Sequence, residues 1–121
     1  MSPTVRDLFE HAMRRGRVPA AGEFAEAACD AEGNRAAFRV VLDSDRIRSA
    51  SYRCTTCVTL VALCEYLVGI LPGMNLAAAR DLTPQMLLAA LPEIPTGRRG
   101  RAELVLRALR AAVAPPRTVS L

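Results

Sequence analysis

Apolar positions along this chain follow two periods, and the switch between them falls at Cys57. Before it, Ala50, Tyr52 and Cys54 alternate with polar residues, which puts all three on one face of a strand. After it, Leu60, Val61, Cys64, Leu67, Val68 and Leu71 recur at helical spacing and make one apolar stripe. Pro72 and Gly73 stop that helix. A preceding strand is marked by Phe38, Val40 and Leu42, with Asp43–Asp45 turning the chain into the return strand Ile47–Cys54. Strands Ala36–Leu42 and Arg46–Cys54 are therefore expected to pair as an antiparallel hairpin. A short edge strand near Glu23–Ala28 would bring the sheet to about three strands.

Helices flank this centre. Thr4 can cap a helix over residues 5–16, with Asp7 completing a capping box and Val5, Leu8, Phe9, Ala12 and Met13 forming the apolar stripe. Arg14, Arg15 and Arg17 follow at its end, where the helix dipole favours cations. His11 has no second ligand at metal spacing and reads as structural. Residues 17–35 are irregular, with Pro19, Gly22, Gly33 and Asn34 as turn formers. Leu76–Arg80 makes a helical turn. Thr83 caps a helix with Pro84 at its first position and Leu87, Leu88 and Leu91 facing inward. A last helix over 98–114 buries Ala102, Val105, Leu106, Leu109, Ala112 and Val113, with Glu103 and Arg107 paired outside. These elements specify an α+β fold in one domain over 1–114, with 115–121 expected to be a disordered tail.

Composition narrows the function. At 121 residues the chain can bury a full core, and with 4% aromatics and no Trp that core rests on Leu, Val and Ala. No apolar run approaches a membrane span and no secretory signal is visible, so a soluble cytoplasmic protein is expected. Four cysteines in such a chain suit reduced thiols better than a disulfide framework. All 16 basic residues are arginine, giving a formal charge of +4. Without interleaved aromatics for base stacking, nucleic-acid binding is not expected. Arg98, Arg99 and Arg101 instead form a candidate docking patch for an acidic protein partner.

Cys57 is the chief candidate for chemistry, because a helix N-terminus favours a thiolate there. Cys54 lies three residues upstream, in a Cys-Thr-Thr-Cys pair that can share a metal. Cys29 can reach them if the preceding loop folds back, and Glu32 can add an oxygen donor. Each thiol also has a plainer reading as a small buried hydrophobe, strongest for Cys64 on the helical stripe and nearly as strong for Cys54.

Several segments resemble the IscU/NifU family of iron–sulfur cluster assembly scaffolds. Leu8-Phe9-Glu10-His11 followed by Gly22 looks like its opening helix and loop, and Ile47–Tyr52 like the strand leading to its second ligand cysteine. Cys57 falls on that cysteine and Gly73, sixteen residues on, falls on the glycine closing the family's central helix. Leu76, Ala79, Leu91, Pro95 and the stripe ending at Ala112 follow in register. The resemblance implies a small antiparallel sheet with packed helices and a cluster held by three cysteines and an aspartate. Position by position, the first Cys-Gly-Asp segment corresponds to Glu32-Gly33-Asn34, the third cysteine to Arg101, and the histidine before it to Gly100. The segment that the chaperone recognises in one branch is here Ile94-Pro95-Thr96-Gly97-Arg98.

The resemblance implies a role in iron–sulfur cluster assembly, as a divergent, non-catalytic scaffold or carrier. It would bind a cluster, iron or zinc through Cys57, Cys54, Cys29 and Glu32, and work with a desulfurase-type or other assembly partner. The alternatives are an adaptor or regulatory subunit that keeps the fold without a cluster, and a thiol redox protein using Cys54 and Cys57. Arg101 separates these readings: a permanent cation cannot ligate metal, and near Cys57 it would favour a thiolate or a bound anion.

Overall fold

A computed structural model describes residues 3–15 and 24–113. Its elements run α1 (Val5–Arg15), β1 (Ala28–Cys29), β2 (Arg35–Asp43), β3 (Arg46–Cys54), α2 (Val58–Ile70), α3 (Leu76–Arg80), α4 (Pro84–Ala90), a 3-10 turn (Thr96–Arg98) and α5 (Gly100–Ala112). The three strands form one antiparallel sheet in the order β1-β2-β3. Ala36, Phe38 and Val40 stand opposite Cys54, Tyr52 and Ala50. Directly opposed residues share a face, so these six make the inner face of the sheet. Against it lie α5, over β2, and α2, over β3, in contact with each other. α1 packs on the far side of α2.

The hairpin, the capped helices and the stop after α2 form where the local signals put them. Thr4 Oγ1 accepts from the Asp7 N–H at 3.1 Å while Asp7 Oδ2 accepts from the Thr4 N–H at 3.1 Å, a reciprocal capping box. Thr83 caps α4, with Pro84 in its first turn. Gly73 takes φ +88°, a left-handed conformation that costs glycine little, and its N–H bonds the Ile47 carbonyl at 2.7 Å. That bond, with Ile47 N–H to the Met74 carbonyl at 2.8 Å, ties the end of α2 to the start of β3.

Several expectations need correction. The edge strand is only Ala28–Cys29, and upstream of it the Ala25 N–H bonds the Phe38 carbonyl and ties the approach to β2. The remainder of the expected strand at Glu23, the end of the first helix at residue 16, Arg17, Pro19, Gly22 and the tail lie outside the described residues. Leu42 is exposed: the pairing slips between Val41 and Leu42, and only Ile47 opposite is covered by the turn after α2. The last helix begins at Gly100, since Thr96–Arg98 close into a separate 3-10 turn. Arg107 makes no ion pair with Glu103; its guanidinium donates to the Cys29 carbonyl at 3.2 Å and fastens β1 to α5.

α2 departs most from the periodic reading. It is buried on more than a stripe: Thr59, Ala62, Leu63 and Glu65 are enclosed together with Leu60, Val61, Cys64 and Leu67. Sheet, α5 and α1 enclose it from different sides. Glu65, with its side chain only 3% exposed, is tolerated because its carboxylate is hydrogen-bonded. Its Oε1 accepts from the Tyr52 hydroxyl at 2.8 Å, and its Oε2 lies 3.0 Å from His11 Nδ1. His11 is thus the structural residue its sequence context suggested, and burial together with Glu65 pushes the Tyr52 phenol well up.

Two stability changes follow. Cys64 is fully buried, so Cys64→Ala is expected to cost about 1 kcal/mol in urea unfolding through the small cavity it leaves. Tyr52→Phe removes a donor from the buried Glu65 carboxylate and should cost more, roughly 1–3 kcal/mol.

Candidate functional site

The strand-to-helix switch is pinned before any function enters. Arg35 N–H donates to Thr55 Oγ1 at 2.8 Å, and Thr55 N–H donates to the Arg35 carbonyl at 3.0 Å. These bonds hold residues 55–57 against the start of β2. Cys57 then takes the extended N-cap conformation of α2 (φ −136°, ψ 126°) and sits half-buried at the rim of the core. Its sulfur lies 3.6 Å from Arg98 Nη1. Arg101, in the first turn of α5, is among the groups that lower the Cys57 thiol.

Arg101 is 9% exposed, unusual for an arginine, and it is neutralised locally. Its Nη2 and Nη1 lie 3.1 Å and 3.4 Å from the two oxygens of Glu32, a fork-to-fork pair. Glu32 is positioned by a tight loop that sequence reasoning missed. Asp30 Oδ1 accepts from the Glu32 and Asn34 N–H groups at 2.9 Å each, and its Oδ2 from the Asn34 amide at 3.0 Å. Gly33 turns this loop at φ +85°. The Asn34 hydrogen bond leads the causes that hold the Asp30 carboxyl below its ordinary value. The turn formers were legible; the anchor, Asp30, lies three residues before Gly33-Asn34 and could have been read as the start of an Asx turn.

Burial alone would raise the Cys57 thiol. It is outweighed by the Leu60 and Thr59 N–H groups of the first turn, then by Arg101 and Arg98, so the thiol titrates below its ordinary value. The helix-terminus argument made for Cys57 therefore has two sources, backbone and guanidinium.

The other candidates lie elsewhere. Cys54 faces inward with Tyr52; burial first and Cys54 second push the Cys64 thiol well up. Cys54 also lines a cleft of about 420 Å³ with Phe24, Arg35 and Arg53, which Cys57 does not enter. Cys29 is exposed on β1. Arg98 and Arg99 are exposed beside the site, whereas Arg101 is its floor. Thus Glu32 is brought to Arg101 and Arg98 to Cys57, while Cys29 is exposed on β1 and Cys54 ends β3 on the inner face of the sheet. Among the described residues no three His, Cys, Asp or Glu side chains gather where one ion could be held. Among the described residues, the donors brought to Cys57 do not make up a ligand set for iron or a cluster.

Comparison with known proteins places this geometry. Residues 1–117 match the family of NifU-like N-terminal domains. The chain belongs to that family. Among solved structures, it resembles a protein described only as hypothetical, whose crystal structure was determined at 2.3 Å, with a TM-score of 0.59 and 19% identity over 75% of this chain and 82% of that one. It also resembles a nitrogen-fixing NifU-like protein (N-terminal) from Brucella abortus, with a TM-score of 0.57 and 14% identity over 81% of each chain. No curated protein matches it at a comparable level. The α+β fold and three-stranded antiparallel sheet expected from the sequence are those of NifU-like structures. No helix among the described residues is long and apolar enough to cross a membrane.

A pH profile tests the electrostatics of this NifU-like site. Because the folded protein holds Cys57 below the ordinary thiol value of 9.0, its alkylation by iodoacetamide should reach half-maximal rate below that pH. Arg101→Gln removes one stabilising cation and should move the midpoint upward, as read by mass mapping of the Cys57 peptide.

Proposed function

We propose that this NifU-like domain serves iron–sulfur cluster assembly as an adaptor that docks on other assembly components and presents one arginine-held thiolate. In this reading it does not hold a cluster of its own and is no catalyst. The observation that carries it is Arg101. A buried guanidinium, fixed by Glu32, occupies the position matched to the family's third ligand cysteine, where a cluster would need a soft donor, and it favours the Cys57 thiolate. A fixed positive charge there disfavours a metal cation and favours an anion. Exposed Arg98 and Arg99 beside it suit an acidic partner surface, such as that of a desulfurase-type protein. Membership of the family supports cluster assembly as the setting, and a cytoplasmic site belongs to the same proposal.

The competing reading, a carrier that binds iron, a cluster or zinc through Cys57 with Cys54, Cys29 or Glu32, makes the opposite forecast in one experiment. Anaerobic reconstitution with iron and sulfide should leave the parent protein largely unloaded. The variant Glu32→Cys, Asn34→Asp, Arg101→Cys, which supplies donors at the positions matched to the family's ligands, should gain iron and labile sulfide. A parent that loads fully, and loses its metal in Cys57→Ser or Cys54→Ser, would establish the carrier. The docking half is read separately. Retention on an immobilised desulfurase-type partner should weaken with salt and with Arg98→Glu, Arg99→Glu.

A further inference from the structure

The sheet has a second face, and among the described residues no helix covers it. α2 and α5 both lie on the face of Ala36, Phe38 and Val40. Alternation turns Arg35, Ala37, Arg39 and Val41 of β2 the other way, with Ser49, Ser51 and Arg53 of β3 beside them. Arg53 stands opposite Ala37, between Arg35 and Arg39, so the three arginines zigzag across the strands with diagonal neighbours about 7–8 Å apart. No acidic residue lies between Arg35 and Val41 or between Ser49 and Arg53; the next along β2, Asp43, is at the hairpin turn. None of the three guanidiniums makes an ion pair among the described residues. Arg53 lies instead over the Phe24 ring, 4.4 Å from its centroid, which steadies the cation without neutralising it. Arg35, Arg53 and Phe24 line the cleft of about 420 Å³ at this end of the face. Like charges on adjoining strands weaken a sheet, so the arrangement costs stability that the fold alone does not recover.

We propose that this face of the sheet docks an acidic protein segment, whose carboxylates pair with Arg35, Arg53 and Arg39. A guanidinium fork takes a carboxylate through two parallel hydrogen bonds, which suits arginine to the task. Alternate residues of an extended segment stand about 6.7 Å apart, close to the step from one arginine to the next. The face itself narrows the occupant. A second copy presenting the same surface is repelled by it. Between the arginines lie Ala37, Ser49 and Ser51, small or polar residues with nothing to enter a bilayer. Phe24 has its ring against Arg53, so it leaves no free platform for nucleic-acid bases. Charge complementarity with an acidic protein surface is what remains. Arg98 and Arg99 belong to the segment before α5, so the sheet gives the chain a second docking surface on different elements. This goes beyond the adaptor reading and does not rest on it.

The test uses the full chain, reduced and metal-free, with a fluorescein-labelled peptide of alternating Glu and Ser, its binding read by fluorescence anisotropy. Arg35→Glu, Arg39→Glu, Arg53→Glu should weaken the peptide about tenfold or more. Arg35→Gln, Arg39→Gln, Arg53→Gln, which removes the charge without reversing it, should weaken it by a smaller factor. That variant decides the matter if urea unfolding shows that the charge reversal prevents folding. Arg98→Glu, Arg99→Glu should change the affinity by no more than about threefold, as expected of a separate surface. A single-stranded uridine oligonucleotide of equal charge and vesicles containing phosphatidylserine should both bind more weakly than the peptide. Peptide binding untouched by the variants of the sheet, or weakened as much by reversing Arg98 and Arg99, would overturn the proposal. So would tighter binding of the oligonucleotide or the vesicles through the same three arginines. Either failure leaves the retention measurement on the desulfurase-type partner unaffected, so the two readings stand or fall separately.

Discussion

Everything in this fold follows from enclosing α2. Between Val58 and Ile70 the segment has one ionisable carboxylate, Glu65, and almost no other polar side chain, so no single partner surface can cover it. The sheet takes one side, α5 a second and α1 a third. Leu60, Leu63, Leu67 and Leu71 are each 0% exposed as a result. At roughly 1.5–3 kcal/mol for each large apolar side chain removed from water, this helix supplies a major share of the burial that offsets chain entropy. The same enclosure obliges Glu65 to find donors. His11 from α1 and Tyr52 from β3 provide them, so the polar exception in the helix becomes a fastening between its neighbours.

That packing also fixes where chemistry can occur. A helix enclosed along its length meets solvent only near its ends, and its N-terminal end is the one with unpaired N–H groups. Cys57 occupies that end. The first turn of α5 arrives beside it because α5 lies along α2 on the same face of the sheet. Arg101 therefore acts on the Cys57 thiol as a consequence of how two helices pack, and its charge requires Glu32 in turn. A buried cation without a partner would be strongly unfavourable, and Glu32 is available only because Asp30 and Asn34 fold its loop back. Sulfur, guanidinium and carboxylate form one dependent chain.

The parts of the structure legible in the sequence were those set by neighbours along the chain. The Thr4–Asp7 box, the Thr83-Pro84 start, the Asp43–Asp45 turn and the strand face of Ala50, Tyr52 and Cys54 all span a few residues. The pairing of Glu32 with Arg101 spans 69 positions and that of Arg107 with Cys29 spans 78, and no periodicity reports such contacts. Glu65 did leave a trace, as a lone acid inside an apolar run. Reading one stripe onto α2 hid it, because a stripe leaves a solvated face for any charge. Cys54 and Cys57 show the same limit. Their spacing invites a shared site, yet Cys54 ends a strand facing the core and Cys57 begins a helix at the rim. A strand face and a helix cap separate two residues that are close in sequence.

The site divides its three arginines by depth, and depth decides what each can do. Arg101 is buried, paired and rigid, so it can set the charge state of one atom but cannot follow a moving partner. Arg98 and Arg99 are exposed, so their individual ion pairs are screened and weak, on the order of 1 kcal/mol or less, and they act mainly on approach and orientation. A metal-binding site has the reverse arrangement, with anionic donors inside. With the fixed cation inside and paired to Glu32, and the adjustable ones outside, the half-buried sulfur of Cys57 sits in surroundings that favour its thiolate form over the thiol.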